Sequence, residues 1–513
     1  METMKIRLAA CAVLGMSACM AMAQNPIIQT KYTADPAPLV VDDTLYLFTS
    51  RDNEEGDGYQ MTEWHCFTTT DMQNWTDHGA VADISDFSWA PDNGAWAQQV
   101  VFRNNVYYMY APIQLNGIGV LTSSSPYGPW RDRLGKQLIN QDIRDIDPTV
   151  FVDDDGQAYI YWGNNGLWYA LLNKNMQSIS GDIVEVMRTT ESFGGYKDST
   201  YNDEGELTTS VVGDDCYEEG PWFYKRDSIY YLIYAAGGVP EHLSYSTSSS
   251  PTGPWTYQGI IMDCPEGSFT THPGIVEFKG NNYIFYHSGQ LDGGSGYRRS
   301  VCVEQFEYND DGTIPFISAT KGAVTTPVDS LNPYQRQEAE TIAYCKGVRT
   351  TKDADSGIIY CDSLDNDDYI RVKSVDFGDS GADSVTVCVR SGENAGSLQV
   401  CVDSKAKAYA TIAVSGYDDW TELTVSLSAT VTGVHSLYFV FLADDATNAS
   451  SQLMQFDYWQ FHEIDADAAT AVTAVAAASD DAGVLYDLTG LRVSKPVAGR
   501  IYIQDGKKII FNR

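Results

Sequence analysis

The sequence predicts an all-β protein in three parts: a five-bladed β-propeller, a β-sandwich of the jelly-roll type and a short β-rich C-terminal tail. The chain has 513 residues with 33 Tyr and 43 Gly, a composition typical of a large strand-rich protein with many tight turns. A strand–turn–strand pattern recurs five times before residue 290, and a different set of alternating strands follows it. These observations together predict the fold class.

Each of the five repeats is an apolar strand, a turn of Asp, Asn, Gly or Lys, and a Tyr-rich strand, which predicts a β-hairpin. The repeats are "LVVDDTLYLFTS", "QVVFRNNVYYMYA", "TVFVDDDGQAYIYWG", "PWFYKRDSIYYLIYA" and "GIVEFKGNNYIFYHS". After most of them comes a second hairpin that contains Trp, as in "FTTTDMQNWTDHG" and "YSTSSSPTGPWTYQG". Two hairpins make a four-stranded blade. Five blades predict a propeller over residues 28–325, whose circular arrangement leaves only short edges.

The repeats share a register that predicts a pocket. Counting back 11 residues from the matching Tyr of each repeat, or 12 where "DDDG" lengthens the turn, gives Asp35, Trp96, Asp147, Glu219 and His272. The innermost strand of every blade runs along the propeller axis, so equivalent strand starts converge on one end of the central channel. Three carboxylates are therefore expected to meet there.

Carboxylates that share a partly desolvated site cannot all ionise at their ordinary pKa values, so one can serve as an acid while another remains a base. Glycoside hydrolysis uses this arrangement. Taken singly, each acidic residue could instead be an ordinary turn residue, since Asp often caps turns. His272 is open to two interpretations, a hydrogen-bonded loop residue or an axial metal ligand or substrate contact.

The motifs "TADPAPLV", "DIDPTVFVDDDGQAYIYWGN", "EEGPWFYK", "THPGIVEF" and "GYRRSVCVEQFEYNDDGTI" resemble those of glycoside hydrolase family 43, and within it the arabinoxylan arabinofuranohydrolases. The resemblance covers roughly residues 28 to 320 in order. It implies that Asp35 is the general base and Glu219 the general acid, with Asp147 as a third carboxylate that adjusts the pKa of the acid. It also implies that Arg299 approaches the sugar and that His272 lies near a calcium ion or water on the axis.

Three tryptophans are candidates for a sugar platform, because the CH faces of a furanose pack on aromatic rings. They are Trp89, Trp96 and Trp162. For Trp89 and Trp162 a place in the blade core is an equal alternative.

The strands of residues 334–463 predict an antiparallel sandwich that resembles carbohydrate-binding module family 6. The resemblance implies a structural calcium held by Glu338, Glu340 and Asp457, and a sugar site in which Trp420 stacks on the ligand. Two residues depart from the pattern: Ser363 replaces an aromatic residue and Gln455 replaces Asn. A weakened or altered cleft is therefore also compatible with the sequence.

The two ends of the chain suggest export. Residues 1–23 place Lys5 and Arg7 before a short apolar run, which predicts a signal peptide cleaved after Ala23, with a lipid-anchored Cys19 as the alternative. Residues 464–483 form an Ala/Asp-rich linker, and residues 484–513 resemble the sorting tails of secreted proteins, with a small accessory sheet as the alternative. Export permits disulfides among the remaining eight cysteines, although buried free thiols are equally expected. We expect a secreted, periplasmic or cell-surface protein.

A formal charge of −36 argues against a nucleic-acid partner, and no further apolar stretch is long enough to span a membrane. The expected partner is a plant cell-wall polysaccharide, and the expected state is a monomer. The sequence and its resemblance predict an exo-acting inverting glycosidase that removes α-L-arabinofuranosyl side chains from arabinoxylan, with no cofactor for the chemistry and structural calcium in the propeller axis and the sandwich. The alternatives are a β-xylosidase or arabinanase of the same fold, or a non-catalytic sugar-binding propeller.

Overall fold

The structure is a computed structural model that describes residues 25–55, 57–201, 207–321, 325–444, 452–464, 473–475, 485–488, 491–504 and 507–511. The predicted signal peptide at 1–23 lies outside the described residues, as does most of the predicted linker at 464–483. The described part of the chain contains no helix with the length and apolar character that crossing a bilayer requires. Each of the eight cysteines after residue 24 is a free thiol, and seven of them are buried.

Five antiparallel sheets form the blades predicted from the repeats. Blade one contains β1 (Thr33–Val41), β2 (Thr44–Arg51), β3 (Glu63–Thr69) and β4 (Trp75–Asp83), and is followed by a short 3₁₀ turn (Ile84–Asp86). Blade two contains β5 (Gln99–Arg103), β6 (Val106–Ile113), β7 (Gly117–Ser123) and β8 (Arg131–Asp132). Blade three contains β9 (Thr149–Val152), β10 (Ala158–Trp162), β11 (Trp168–Leu172) and β12 (Ile179–Glu185).

An insertion separates blades three and four: the short helix α1 (Thr190–Phe193) and a hairpin of β13 (Tyr196–Tyr201) and β14 (Leu207–Val212). Blade four contains β15 (Tyr217–Arg226), β16 (Ile229–Ala236), β17 (His242–Ser248) and β18 (Thr256–Met262). Blade five contains β19 (Gly274–Phe278), β20 (Asn281–Ser288) and β21 (Ser300–Phe306). Around the axis, β19 contacts β1, β1 contacts β5, β5 contacts β9, and β9 contacts β15, so the first strands of the blades are innermost.

The start of the chain closes the ring by running along the outer strand of blade five. The Ile27 amide donates to the Val301 carbonyl at 2.9 Å, and the Thr33 amide donates to the Arg299 carbonyl at 2.8 Å. The Val303 amide donates to Asn25 Oδ1 at 2.9 Å. The edge that a three-stranded blade would expose is therefore partly hydrogen-bonded.

Two packed sheets form the predicted sandwich, with one buried apolar cluster between them. The strands are β22 (Gln337–Glu338), β23 (Thr341–Ile342), β24 (Tyr344–Lys346), β25 (Arg349–Lys352), β26 (Ile359–Asp362), β27 (Tyr369–Asp376), β28 (Ala382–Ser391), β29 (Gly396–Val402), β30 (Ala408–Val414), β31 (Thr421–Val431), β32 (Val434–Ala443) and β33 (Met454–Glu463). One sheet has the order β25-β26-β33-β28-β31, with β22 paired to β33, and the other has the order β24-β27-β32-β29-β30.

The described parts of the C-terminal segment form a small separate sheet. Its strands are β34 (Thr473–Val475), β35 (Leu485–Tyr486), β36 (Arg492–Val493), β37 (Ile501–Gln504) and β38 (Lys507–Phe511). The tail is thus β-rich, as the sequence predicts. Strand β34 lies within the predicted linker at 464–483 and pairs parallel to β38 of the tail.

The sandwich is joined to the propeller by strand pairing, which the sequence did not predict. Strand β23 pairs with β4, so it forms a fifth strand at the outer edge of blade one. Beside this pairing, Lys31 and Asp77 form a 2.7 Å ion pair in which both side chains are almost fully buried. Thr350 of the sandwich donates to Asp77 Oδ2 at 2.6 Å, and Asn74 exchanges two 2.8 Å hydrogen bonds with the backbone of Lys373.

Candidate active site

The five positions that share the repeat register lie together. Asp35, Trp96, Asp147, Glu219 and His272 all line one cavity of about 270 Å³ at the end of the central channel. The strand starts that the alignment placed in register therefore do converge.

The backbone at two of the acids adopts the left-handed region. Asp35 has φ 53° within a bulge of β1, and Asp147 has φ 54° just before β9. Such conformations are uncommon outside Gly, Asn and Asp, and they turn the side chain out of the strand. In blade four the positive φ falls on Gly220 instead, where a Cβ atom would approach His272 Nδ1 to 3.0 Å. The local geometry thus explains why short acidic residues or Gly occupy these turns.

Asp35 is buried beside a cation. Arg299 Nη1 donates to Asp35 Oδ1 at 3.0 Å, and the Asp35 amide donates to His287 Nδ1 at 3.3 Å. Burial, the largest single influence, opposes ionisation of Asp35. The Arg299 charge, together with the neighbouring histidines and the Ser50 hydroxyl, outweighs burial, and the pKa of Asp35 falls below its ordinary value. Asp35 is therefore held as a carboxylate.

The other two acids have no cation paired to them and behave in the opposite way. Burial, with the charges of Glu219 and Asp35, raises the pKa of Asp147 well above its ordinary value, although the Gly220 amide donates to Asp147 Oδ2 at 3.0 Å. Burial and the Asp35 charge also raise the pKa of Glu219, against a 2.5 Å hydrogen bond from Asn164 to its Oε2. The pocket therefore combines one stabilised carboxylate with two carboxyl groups that favour the protonated form.

Arg299 is held in place by an acid outside the repeat register. Its Nε and Nη2 donate to the two oxygens of Asp52 at 2.9 and 2.8 Å, while Nη1 remains directed at Asp35. Asp52 is 1% exposed and follows the second strand of blade one. A planar guanidinium held by two oxygens cannot rotate away from Asp35.

Sequence reasoning missed several further residues of the site, namely Asp52, Tyr59, Leu115, Ile143, Asn164 and His287. Burial lowers the pKa of His287 to about 3, and its Nε2 donates to the Thr270 carbonyl at 3.1 Å, so this ring is a neutral support for Asp35. Most of these residues lie in loops between repeats, where no register could have aligned them. Two of them offered a signal: Asn164 follows the second strand of blade three in "YWGNN", and His287 lies in the second strand of the fifth repeat in "IFYHS".

The aromatic rim differs from the prediction. Trp96 lines the pocket and its ring lies edge-on to Tyr59, with 6.2 Å between ring centroids. Trp162 is fully buried in the core between blades two and three and donates to Asp145, so its predicted role as a sugar platform is wrong. Trp89 does not line the pocket either: its ring packs on Phe87 at 5.0 Å and its Nε1 donates to Asp132. The blade-core alternative is the correct one for Trp162, and Trp89 packs partly buried against the edge of a core cluster.

The predicted metal ligands do not form side-chain clusters. Among the described residues, no group of three or more His, Cys, Asp or Glu side chains is arranged to hold a metal ion. In the sandwich, the Arg336 guanidinium lies between Glu338, at 2.8 Å, and Asp457, at 3.4 Å. Glu340 is buried, and its Oε2 has no hydrogen-bond partner. His272 lines the catalytic pocket, where burial lowers its pKa.

Trp420 belongs to a cluster on the sandwich, remote in sequence from the pocket residues. Its ring is half-buried, lies 5.3 Å from Tyr360 and carries the Arg390 guanidinium at 4.8 Å from its centroid. Arg390 is fixed in turn by a 2.6 Å hydrogen bond to Gln455, the residue that departs from the sequence pattern. Aromatic rings beside a cation form a surface on which a sugar ring can pack.

Comparison with known proteins agrees with both domains. The family described as glycosyl hydrolases family 43 matches residues 23–314, and carbohydrate binding module (family 6) matches residues 338–463. The chain is 32% identical to an arabinoxylan arabinofuranohydrolase of Bacillus subtilis (strain 168), over 85% of this chain and 92% of that protein. It is also 32% identical to a xylosidase/arabinosidase of Bacteroides ovatus, over 56% of this chain and 95% of that protein.

Among solved structures, the chain resembles the crystal structure of a glycoside hydrolase family 43 arabinoxylan arabinofuranohydrolase from Bacillus subtilis in complex with cellotetraose. The TM-score is 0.72 at 28% sequence identity, and the match covers 86% of this chain and 99% of the other. The similarity therefore extends through the propeller and the sandwich together.

Proposed function

Because the chain belongs to glycosyl hydrolases family 43 and carries a carbohydrate binding module of family 6, we propose that it is an exo-acting glycosidase that removes α-L-arabinofuranosyl side chains from arabinoxylan. The observation that carries this proposal is the pocket in which Asp35 is stabilised as a carboxylate while Glu219 favours its proton. A base and an acid at opposite protonation states are what single-step hydrolysis of a glycoside requires.

The residues have distinct roles in the proposed reaction. Asp35 takes a proton from a water molecule as that water attacks the anomeric carbon, and Glu219 gives its proton to the glycosidic oxygen as the carbon–oxygen bond breaks. Asp147 accepts a hydrogen bond from the Gly220 amide, and the Glu219 charge is one of the influences that raise the Asp147 pKa, so the two carboxyl groups do not readily ionise together. We expect inversion, for which the two reacting carboxyl groups are separated by about 6.5 to 9.5 Å.

The alternative that a specific observation favours is β-xylosidase activity. The Bacteroides ovatus relative, whose match spans 56% of this chain, is named a xylosidase/arabinosidase. The acids of the pocket serve either reaction, so loop residues such as Leu115 and Ile143 at the rim decide which sugar enters.

Product analysis of the purified full chain tests the proposal. We expect arabinose to be released from arabinoxylan without xylose or oligosaccharides, and proton NMR to show the inverted anomer first. Release of xylose from xylo-oligosaccharides would favour the alternative. Retained polysaccharide binding without hydrolysis would contradict both.

Calcium in the sandwich remains part of the proposal. The buried Oε2 of Glu340 without a partner supports it, because burial and the charges of Glu338 and Asp457 raise the Glu340 pKa, and a cation would relieve that cost. A calcium at His272 fits less well, since calcium prefers oxygen ligands. A chelator should lower the midpoint of thermal unfolding if the sandwich site is filled.

Export is proposed on the sequence alone. The N-terminal segment and the acidic composition support a secreted, periplasmic or cell-surface enzyme that acts on plant cell walls as a monomer. N-terminal sequencing of the mature protein tests this, with Gln24 expected as the first residue.

A further inference from the structure

The insertion between blades three and four reaches the candidate acid through a chain of side chains. Lys197, on β13, donates from Nζ to Asn165 Oδ1 at 2.9 Å. Asn165 Nδ2 donates to Asn164 Oδ1 at 2.7 Å, and Asn164 Nδ2 donates to Glu219 Oε2 at 2.5 Å. The chain thus connects a surface hairpin to the carboxyl group in the pocket.

The direction of this series of hydrogen bonds is fixed by Lys197. A lysine ammonium can only donate, so the oxygen of the Asn165 amide must face Lys197 and its NH₂ must face Asn164. The same argument then orients the Asn164 amide, whose NH₂ must face Glu219. Glu219 Oε2 is therefore an acceptor, and a proton on this carboxyl group belongs on Oε1.

Asn165 is held at its backbone as well as its side chain. Its amide donates to the Glu218 carbonyl at 2.6 Å, and Arg188 donates to its carbonyl oxygen. It adopts φ 52°, a left-handed conformation that Asn tolerates better than most residues. This fixed geometry makes the amide a rigid link rather than a mobile surface group.

Lys197 has a second contact beside the acid. Its Nζ also forms an ion pair with Glu218, which is 5% exposed and directly precedes Glu219. The ammonium therefore neutralises the carboxylate nearest in sequence to the acid while it orients the amide chain.

We propose that Lys197, Asn165 and Asn164 form a directional hydrogen-bond relay that orients the Glu219 carboxyl group, so that Oε2 accepts from Asn164 and Oε1 carries the acid proton. The proposal rests on the proposed function and deepens it. Lys197 and Asn165 are positioning residues, because they act on the reacting group through Asn164. The hairpin of the insertion thereby affects only the step in which Glu219 donates its proton to the glycosidic oxygen.

The relay makes a prediction about pH. Other ionisable groups also face Glu219: Asp35, Tyr59, Asp147, Tyr217, Glu218, Glu241 and Arg299. The Glu218 charge raises the Glu219 pKa and the Asn164 hydrogen bond lowers it. Loss of Lys197 would leave Glu218 unneutralised and loosen Asn164, and both effects raise the Glu219 pKa. The alkaline limb of kcat/KM should therefore move up, by about 0.5 to 1 pH unit.

The test compares Lys197→Met with the conservative Lys197→Arg and with Lys321→Met, which removes an exposed lysine paired to Glu266 at 2.7 Å. The substrates are arabinoxylan and an aryl α-L-arabinofuranoside with a good leaving group. We expect Lys197→Met to lower kcat on arabinoxylan by about 10- to 100-fold with little change in KM, and to affect the aryl substrate much less. Lys197→Arg should recover part of the loss, and Lys321→Met should match the parent enzyme.

Each outcome decides the proposal. Equal losses on both substrates, or an unchanged alkaline limb, would overturn the relay even if arabinose release by the parent supports the proposed function. If the parent enzyme hydrolyses xylosides instead, the same comparison of variants is made with an aryl xyloside. A parent without any hydrolysis would remove the acid role of Glu219, and the relay with it. Thermal unfolding of all variants shows whether a loss comes from misfolding.

Discussion

The catalytic pocket and the junction between propeller and sandwich both bury carboxylates, and the two regions hold them in opposite states. In the pocket, burial raises the pKa of Asp147 and Glu219. At the junction, Asp77 is at least as buried as Asp147, yet the Lys31 charge, together with the nearby His65 and the hydrogen bonds to Asp77, outweighs burial and lowers its pKa to about 2. The difference lies in the paired cation and not in the degree of burial.

This comparison separates groups that support the chemistry from groups that support the fold. The junction satisfies Asp77 with Lys31, Thr350 and the Gly79 amide, so its charge contributes to stability. The pocket leaves Asp147 with one backbone donor, the Gly220 amide, and a cost in stability. Asp35 lies in the pocket but, like Asp77 at the junction, it is held as a carboxylate because a cation, Arg299, is paired to it.

The largest expected effect is the loss of hydrolysis when the candidate acid Glu219 is replaced. Glu219→Gln keeps the shape of the side chain and removes its proton, so hydrolysis of arabinoxylan should fall by roughly 10²- to 10⁴-fold. An aryl arabinoside with a good leaving group needs less protonation and should lose much less. Steady-state kinetics on both substrates measures the difference, and a variant nearly as active as the parent would transfer the role to Glu218.

The next largest effect is on the junction. Asp77→Asn leaves Lys31 buried without its counter-charge, which should reduce the free energy of unfolding by about 3 to 5 kcal/mol. Urea unfolding measures this, while kcat of the remaining folded enzyme should stay close to that of the parent. If the double variant Lys31→Met/Asp77→Leu is no more stable than Asp77→Asn, the unpaired charge is not the cause.

Low pH should destabilise the junction within a defined pH range. The pKa of Asp77 is lowered from an unfolded value near 4 to about 2, so its contribution is fully present above about pH 4 and is lost as the pH falls through 2. Two pKa units correspond to about 2.7 kcal/mol. Unfolding free energies between pH 5 and 2 should show this slope in the parent and a shallower one in Lys31→Met/Asp77→Leu.

In the pocket, the free energy of unfolding should depend on pH with the opposite sign. A carboxyl group whose pKa is raised in the folded state costs stability once the pH exceeds its unfolded pKa, and the cost grows until the folded pKa is passed. Asp147→Asn removes this cost, so it should raise the free energy of unfolding by about 1 kcal/mol at neutral pH while activity is lost. Asn also tolerates the left-handed backbone at this position. A destabilised variant would show that the carboxylate supports the fold as well.

The smallest effect concerns the sandwich surface. Trp420→Ala removes the ring that carries Arg390 and should weaken binding to insoluble arabinoxylan by about 1 kcal/mol. Pull-down of the protein with insoluble polysaccharide measures this, and activity on the aryl arabinoside should not change. Because β23 belongs to the edge of blade one, a point variant is a cleaner test than deletion of the whole sandwich.

Much of the pocket could be predicted from the sequence because repeated hairpins of nearly constant length fix which residue begins each innermost strand. Asp35, Asp147 and Glu219 were found in this way, and Trp96 and His272 with them. The β-sandwich followed from strand alternation, since the two-residue period of a strand is written directly in the sequence. The β-rich tail followed from a resemblance to the sorting tails of secreted proteins.

Tertiary structure alone decided which side chains from different blades meet. Trp162 ends a strand in a manner compatible with either pocket or core, and the packing of blade two on blade three buries it. Asp52 reaches Arg299, and Lys197 reaches Asn165, across 247 and 32 residues of chain. The pairing of β23 with β4 likewise joins two distant edges. A repeat period specifies positions along each strand, whereas contacts between blades and domains depend on side-chain shapes and charges that no single repeat contains.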